Sequence, residues 1–336
     1  MRIGGRDLEQ GVLVVAEIGN NHEGDPGVAR ELIQAAVDAG AHAVKLQVFE
    51  PDLFVRRSDE ARHAQLSRFR LPHEVIEELA ALAGELGVPL IATPLDLESA
   101  AHLESLVDAY KVASGDNDFW PLLDRIAATG KPVVVSSGLV DTGGIKRAKE
   151  FVEERWRDLG IDQELAVLHC VTSYPVEPAE ANLAAIPVLA AELGCPVGYS
   201  DHTIGNDACV LAAALGARIL EKHFTLRHDF SDFRDHQLSA DPDEMGDLVA
   251  RVEAARELLG RPEKTVQPGE ANLAPAVRRS IAAAADLRAG HRIEEGDLVW
   301  LRPRDGLAPG QENELLGRDL RRDVAAGESI LPEDVE

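Results

Sequence analysis

Two hydrophobic periodicities alternate along this chain as far as about residue 260. Short apolar runs read as strands at residues 12–18, 43–48, 89–93, 109–113, 132–136, 165–171, 196–199 and 218–224. Between them, stretches such as 26–39, 73–86, 119–129 and 207–215 repeat their apolar positions every three or four residues and read as amphipathic helices. Gly40, Gly87, Gly130 and Gly216 stand where helix C-caps belong. Eight strand–helix units predict an α/β protein with a closed (β/α)8 TIM barrel, whose chemistry sits at the C-terminal ends of the strands. A doubly wound open sheet is the alternative, but no GxGxxG loop follows the first strand.

The texture changes after Gly260. The segment Arg261-Pro262-Glu263-Lys264-Thr265-Val266-Gln267-Pro268-Gly269 reads as a linker by its proline, glycine and polar content. Short strands and turns follow, with Asp286-Leu287-Arg288-Ala289-Gly290 and Asp323-Val324-Ala325-Ala326-Gly327 among the turns. The expected division is a barrel over residues 1–262, a linker over 263–277 and a small module over 278–336. A module of that size is near the lower limit for folding alone, so it is expected to pack on the barrel of its own or another subunit.

Composition narrows the function classes. At 336 residues and 45% hydrophobic, the chain can bury a large core. Neither a long apolar span nor a basic leader before a hydrophobic segment is visible, so the expectation is a soluble, cytoplasmic protein without a membrane partner. A net charge of -25 repels nucleic acid and anionic membranes; it is also compatible with a saline habitat. Cys170, Cys195 and Cys209 have no CxxC spacing and are expected to be reduced, buried and inert.

The candidate chemistry lies at the predicted strand ends. His202 and His223 each follow a short apolar run, so successive parallel strands would bring both imidazoles to one sheet edge, close enough to share a divalent cation. Lys45, Lys111 and Lys222 interrupt strand-like runs in an acidic chain with few lysines. Such lysines need a compensating anion: a small anionic ligand, or an internal carboxylate such as Glu17 or Glu221. The polar residues at the strand ends form a ring containing Glu17, Asn20, Asn21, His22, Glu23, Lys45, Gln47, Thr93, Lys111, Ser114, Asp116, Ser136, Ser137, His169, Thr172, Tyr174, Ser200, Asp201, His202, Lys222 and His223. Lysines and hydroxyls on several strands suit a phosphate and a carboxylate. Glu17, Asp116 and Asp235 are left to contact hydroxyls of a sugar-like substrate or to move protons.

The chain resembles the sialic acid (nonulosonate) synthases. The resemblance is carried by Ala16-Glu17-Ile18-Gly19-Asn20-Asn21-His22-Glu23-Gly24, Lys45-Leu46-Gln47, Ala92-Thr93-Pro94 and Tyr110-Lys111-Val112-Ala113-Ser114-Gly115-Asp116. It continues in Gly130-Lys131-Pro132 through Ser136-Ser137-Gly138, His169-Cys170 with Tyr174-Pro175, Gly198-Tyr199-Ser200-Asp201-His202-Thr203 and Leu220-Glu221-Lys222-His223-Phe224-Thr225. The tail resembles the antifreeze-like, or SAF, domain that closes these enzymes, with Arg302-Pro303 at the family's arginine-proline.

The resemblance implies condensation of phosphoenolpyruvate with an N-acetylated hexose to a nine-carbon sialic-type acid. It implies that His202 and His223 bind the metal, usually manganese, with magnesium or cobalt as other divalent candidates. Phosphoenolpyruvate would be held by Lys45, Thr93, Lys111, Ser114, Ser136 and Ser200, and the sugar side by Glu17, Gln47, Asp116, Thr172, Tyr174 and Asp235. Glu17, Lys111, Asp116 and His223 would stand nearest the chemistry. It further implies a domain-swapped homodimer in which Arg302 reaches the neighbouring subunit's sugar.

Three positions depart from the commonest bacterial pattern: Asp116 for Glu, Thr172 for Asn, and Phe233-Arg234-Asp235-His236 for Gly-Pro-Asp-His. All concern the sugar side, so the acceptor stays open among N-acetylmannosamine, its 6-phosphate and diacetamido trideoxyhexoses leading to legionaminic or pseudaminic acid. Asp at position 116 also occurs in the animal type, whose acceptor is phosphorylated. Arg234 could meet such a phosphate or pair with Asp232. The more distant alternatives are a synthase of seven- or eight-carbon keto sugar acids and an inactive carbohydrate-binding protein.

Overall fold

The computed structural model describes residues 1–336, which divide into two compact units, Met1–Gly260 and Arg261–Glu336. In the first unit eight parallel strands close into a barrel: β1 (Leu13–Gly19), β2 (Ala43–Val48), β3 (Leu90–Pro94), β4 (Ala109–Val112), β5 (Val133–Ser136), β6 (Leu165–Cys170), β7 (Val197–Asp201) and β8 (Ile219–His223). Each strand pairs with its neighbours in sequence, and β8 closes on β1 with His223 opposite Glu17. The closed barrel is the expected fold, and the alternative of a doubly wound open sheet is excluded. Pro89, Pro132 and Pro196 stand one residue before strands rather than within them, because a proline has no N–H to give a ladder.

Side-chain alternation sorts every strand into two faces. Outward residues such as Val14, Ala16, Val44, Leu46, Val133 and Leu220 join the helices' Leu32, Ile33, Leu79, Leu122 and Leu248 in the large core between barrel and helix ring. Inward residues begin with an apolar tier of Leu13, Val15, Ala43, Ile91, Ala109, Val134, Ala166, Leu168 and Ile219. A small hairpin, Arg2–Ile3 paired with Arg6–Asp7, brings Met1, Ile3 and Leu8 into that tier. One end of the barrel is thus filled with hydrocarbon, and its polar inward residues are confined to the other. Helices start where short polar side chains can take the orphan N–H groups. Asp25 accepts from Gly27 and Val28 ahead of Pro26–Asp38, and Asp241 forms a capping box with Glu244 ahead of Pro242–Leu259.

The second unit contains an antiparallel pair, β9 (Ser280–Ala283) and β10 (Leu298–Leu301), around its own core of Ile281, Leu287, Ile293, Leu315, Leu320 and Ile330. The segment read as a linker includes two single-turn helices, Pro268–Ala271 and Ala274–Val277. Each has proline in its first turn, where the missing N–H costs nothing. No helix is long and apolar enough to cross a membrane.

Gly198 marks the tightest point of the barrel. A Cβ there would lie 2.4 Å from the Ile219 carbonyl oxygen and 2.6 Å from Leu168 Cδ2, so neither neighbour leaves room for a methyl group. Gly198→Ala is expected to cost about 1–3 kcal/mol of stability by overpacking. Urea unfolding of both proteins checks this, and an unchanged midpoint would contradict the close approach.

Candidate active site

Above the apolar tier the inward positions turn polar on almost every strand. Glu17, Lys45, Thr93, Lys111, Ser136, Cys170, Ser200 and Glu221 occupy them, each of them buried. The register sets Lys45 beside Glu17 and Ser200 beside both Cys170 and Glu221. Lys45 Nζ lies 3.0 Å from Glu221 and 3.3 Å from Glu17, while Lys111 Nζ lies 3.8 Å from Glu221. Ser200 donates to Glu221 at 2.8 Å. The hydroxyls of Thr93 and Ser136 are buried without any partner. Two ammoniums and two unpartnered hydroxyls facing one interior are the donor set an oxyanion needs.

Burial, the largest influence on each of these ionisable groups, is resolved differently by their neighbours. For Glu221 burial pushes upward, but Lys111 and Lys45 outweigh it and hold the carboxyl below its usual range. For Glu17 burial prevails over the offset from Lys45, and the charge of Glu221 raises it further. A proton shared in this layer therefore rests on Glu17. Burial lowers Lys45, but Glu17 and Glu221 reverse the effect; burial also lowers Lys111, which Glu221 offsets only in part.

The two histidines stand at the rim of this layer, with ring centres 5.4 Å apart. His202 Nδ1 is 2.9 Å from the Val171 carbonyl oxygen. A carbonyl only accepts, so Nδ1 carries the hydrogen and Nε2 presents its lone pair, the arrangement typical of a metal-ligating imidazole. Burial, followed by the charge of His202, holds His223 far below its ordinary value and therefore neutral. Burial lowers His202, but Cys170 and the Val171 carbonyl reverse the effect and raise it. Two imidazole nitrogens that close together fit a divalent cation that leaves other coordination positions open. Tyr174 covers the pair, 4.1 Å from His202 and edge-on to His223.

The remaining expected residues fall around this centre. Gln47 donates to Glu17 at 2.7 Å and accepts from Asn20 at 3.1 Å. Gly19, with φ +51, folds over both, where a Cβ would press on Glu17 and Gln47. Ser114 and Asp116 lie on the single turn Ser114–Asp116 after β4. Ser114 Oγ accepts from Gly138 N at 3.2 Å, and a Cβ on Gly138 would collide with Ser114 and Thr172, so these three sites touch. Burial, then the charge of Asp118, raises Asp116 from 3.8 to about 6. Asp235 opens the short helix Asp235–Leu238, and burial raises its carboxyl despite the neighbouring Arg234. Arg302 belongs to the second unit, where it is exposed.

Four expectations are corrected. Lys222 is not in the interior: it shares the outward parity of Leu220, and its ammonium is satisfied by Asp201 at 2.8 Å and the Thr203 carbonyl at 2.6 Å. His169 also points outward, bound to the Ala181 carbonyl at 2.9 Å. Arg234 pairs with Asp235 at 3.3 Å and lies over Tyr174, rather than meeting Asp232. Of the cysteines, Cys195 is only half-buried, and Cys170 borders the site with its sulfur 4.0 Å from His202 Nδ1. The residue missed as a site member is Glu221. Its parity with His223, two positions on, was the available signal, obscured by Lys222 beside it.

Fold and site define a class of protein: a (β/α)8 barrel built around a buried anion cradle with two imidazoles at its rim. Residues 32–264 match the NeuB family and residues 278–336 match the SAF domain. The chain belongs to the NeuB family, with a C-terminal SAF domain. It is 35% identical to the N,N'-diacetyllegionaminic acid synthase of Legionella pneumophila over 96% of this chain and 94% of that one. It is 29% identical to the N-acetylneuraminate-9-phosphate synthase of Mus musculus over 96% and 92%. The structure of N-acetylneuraminic acid synthetase from Leptospira borgpetersenii superposes with a TM-score of 0.74 at 30% identity, covering 81% of this chain and 92% of that one.

Glu221→Ala leaves buried ammoniums short of a counter-charge and is expected to cost about 3–5 kcal/mol of stability. Equilibrium denaturation measures this, and a loss below about 1 kcal/mol would show that Glu221 does not hold the lysines. The Asp116 carboxyl is expected to titrate near pH 6 in a carbon-13 NMR pH series. Its folded value lies above 3.8, so the folded state holds the extra proton and the group's contribution to stability is lost as pH rises from about 4 through about 6. Asp116→Asn removes that loss, and a wild-type midpoint near 4 would contradict the burial.

Proposed function

We propose that this protein condenses phosphoenolpyruvate with the open-chain form of an acetamido hexose, N-acetylmannosamine or a related sugar, releasing phosphate and a nine-carbon sialic-type acid. The observation that carries this reading is the buried pair Lys45 and Lys111 with the unpartnered hydroxyls of Thr93 and Ser136, below the adjacent imidazoles of His202 and His223. Lys45, Lys111, Thr93, Ser114, Ser136 and Ser200 would hold the phosphate and carboxylate of phosphoenolpyruvate. Glu17, Gln47, Asp116, Thr172, Tyr174 and Asp235 would contact the sugar. Arg302 would reach the sugar of the other subunit in a domain-swapped homodimer.

In the reaction, C3 of phosphoenolpyruvate bonds to the aldehyde carbon, water adds at C2, and the bond from C2 to the phosphate oxygen breaks. Manganese, or another divalent cation held by His202 and His223, would supply Lewis-acid polarisation of the aldehyde. Lys45 and Lys111 fix the phosphate and stabilise the charge that leaves with it. Holding both substrates in one pocket removes much of the entropic barrier to joining them. Glu17, whose carboxyl is raised by burial, would donate a proton to the oxygen developing at the former aldehyde.

Phosphate release from phosphoenolpyruvate is expected to require both an acetamido hexose and manganese, to stop on chelation, and to fall at least about a thousandfold in His223→Ala. Full turnover after exhaustive chelation would overturn the metal's part in this reading. Release that needs no sugar would overturn the condensation itself.

A further inference from the structure

A second polar cavity, of about 750 Å³, opens at the same end of the barrel. Its walls are the helix Glu60–Phe69, which follows β2, and the loop after β8. Phe69 and Phe233 join those walls edge-to-face at 5.0 Å. Arg62, Arg68 and Arg234 line it, together with the carboxylates of Glu23 and Asp232.

Glu23 and Asp232 offset part of the charge of the three arginines but not all of it. Glu23 is occupied: it accepts from Ser231 and lies 3.6 Å from Arg68 and 3.4 Å from His236. Arg62 donates to the neutral amide oxygen of Gln65 at 2.9 Å. Arg234 reaches Asp235 through Nε alone, which leaves its terminal nitrogens for another acceptor. Forked donors of this kind bind phosphate in pairs of parallel hydrogen bonds.

Distance ties this cavity to the histidines. The Arg234 guanidinium carbon is 5.0 Å from the Tyr174 ring centre, and that ring is 4.1 Å from His202, so the guanidinium is no more than about 9 Å from the imidazole. An extended hexose 6-phosphate spans roughly 8 Å from aldehyde carbon to phosphorus, at the roughly 1.2 Å advance per bond of an extended chain. We propose that Arg62, Arg68 and Arg234 receive the terminal phosphate of a phosphorylated acetamido hexose whose aldehyde end lies at His202 and His223. The proposal rests on the condensation reading for which end of the sugar faces the histidines, but not for the affinity of the cavity for phosphate.

Calorimetry on the full chain with N-acetylmannosamine 6-phosphate and with N-acetylmannosamine tests it directly. The phosphorylated sugar is expected to bind about ten-fold or more tightly than the neutral one, and the difference to vanish in the double variant Arg62→Gln, Arg234→Gln. Equal affinity for the two sugars, no binding of either, or a preference that survives the double substitution overturns the proposal. Phosphate release from phosphoenolpyruvate with the neutral sugar is measured alongside. Turnover there without preference for the phosphorylated sugar sinks the arginine site alone, whereas phosphate-dependent binding without turnover sinks the condensation alone.

Discussion

Everything in the barrel interior depends on how Lys45 is held between Glu17 and Glu221. An ammonium this deeply buried would be prohibitive alone, and two carboxylates within 3.3 Å make it tolerable. Glu221 in turn serves Lys111 and accepts from Ser200, so one buried carboxylate organises groups from three other strands. With both carboxylates ionised the layer is neutral and can be closed off from water. With the proton on Glu17 it carries an excess positive charge, the condition in which it attracts an anion.

That layer has its position because of what lies beneath it. Hydrocarbon from the inward residues of the strands, together with Met1, Ile3 and Leu8, seals one end of the barrel. The polar side chains are thereby confined to the end where loops can vary without disturbing the core. Chemistry and stability are separated along the barrel axis. The loops after β1, β2 and β8 build the arginine-lined cavity there, while the lysines one level down belong to the strands themselves. A strand-borne polar layer with an adaptable rim suits a family whose relatives carry the names of synthases of different acids.

Much of this was legible in the linear pattern. The eight apolar runs, their glycine-capped helices and the change of texture at Gly260 are local signals, and each depends on residues close in sequence. The site was legible only in part. His202 and His223 stood out because each ends an apolar run, and Thr93 and Ser136 because each ends a strand. Lys222 was misassigned, and Glu221, foreseen only as a counter-charge for a buried lysine, was left out of the ring, since neighbouring polar residues at a strand end look alike until the register says which faces inward. The helix Glu60–Phe69 went unread because its face is mostly polar, with only Leu66 and Phe69 buried.

The sequence by itself determined the element order, the closure of parallel strands into a barrel and the residue types available for chemistry. Its hydrophobic spacing leaves few other ways to bury those runs. Only the tertiary structure decided which charges meet. Glu17, Lys45, Lys111 and Glu221 come from strands far apart in the chain, and whether a buried charge finds its partner depends on barrel closure and on the alternation of side chains. The energy of such an encounter falls steeply with distance and solvent exposure, neither of which exists until the chain has folded.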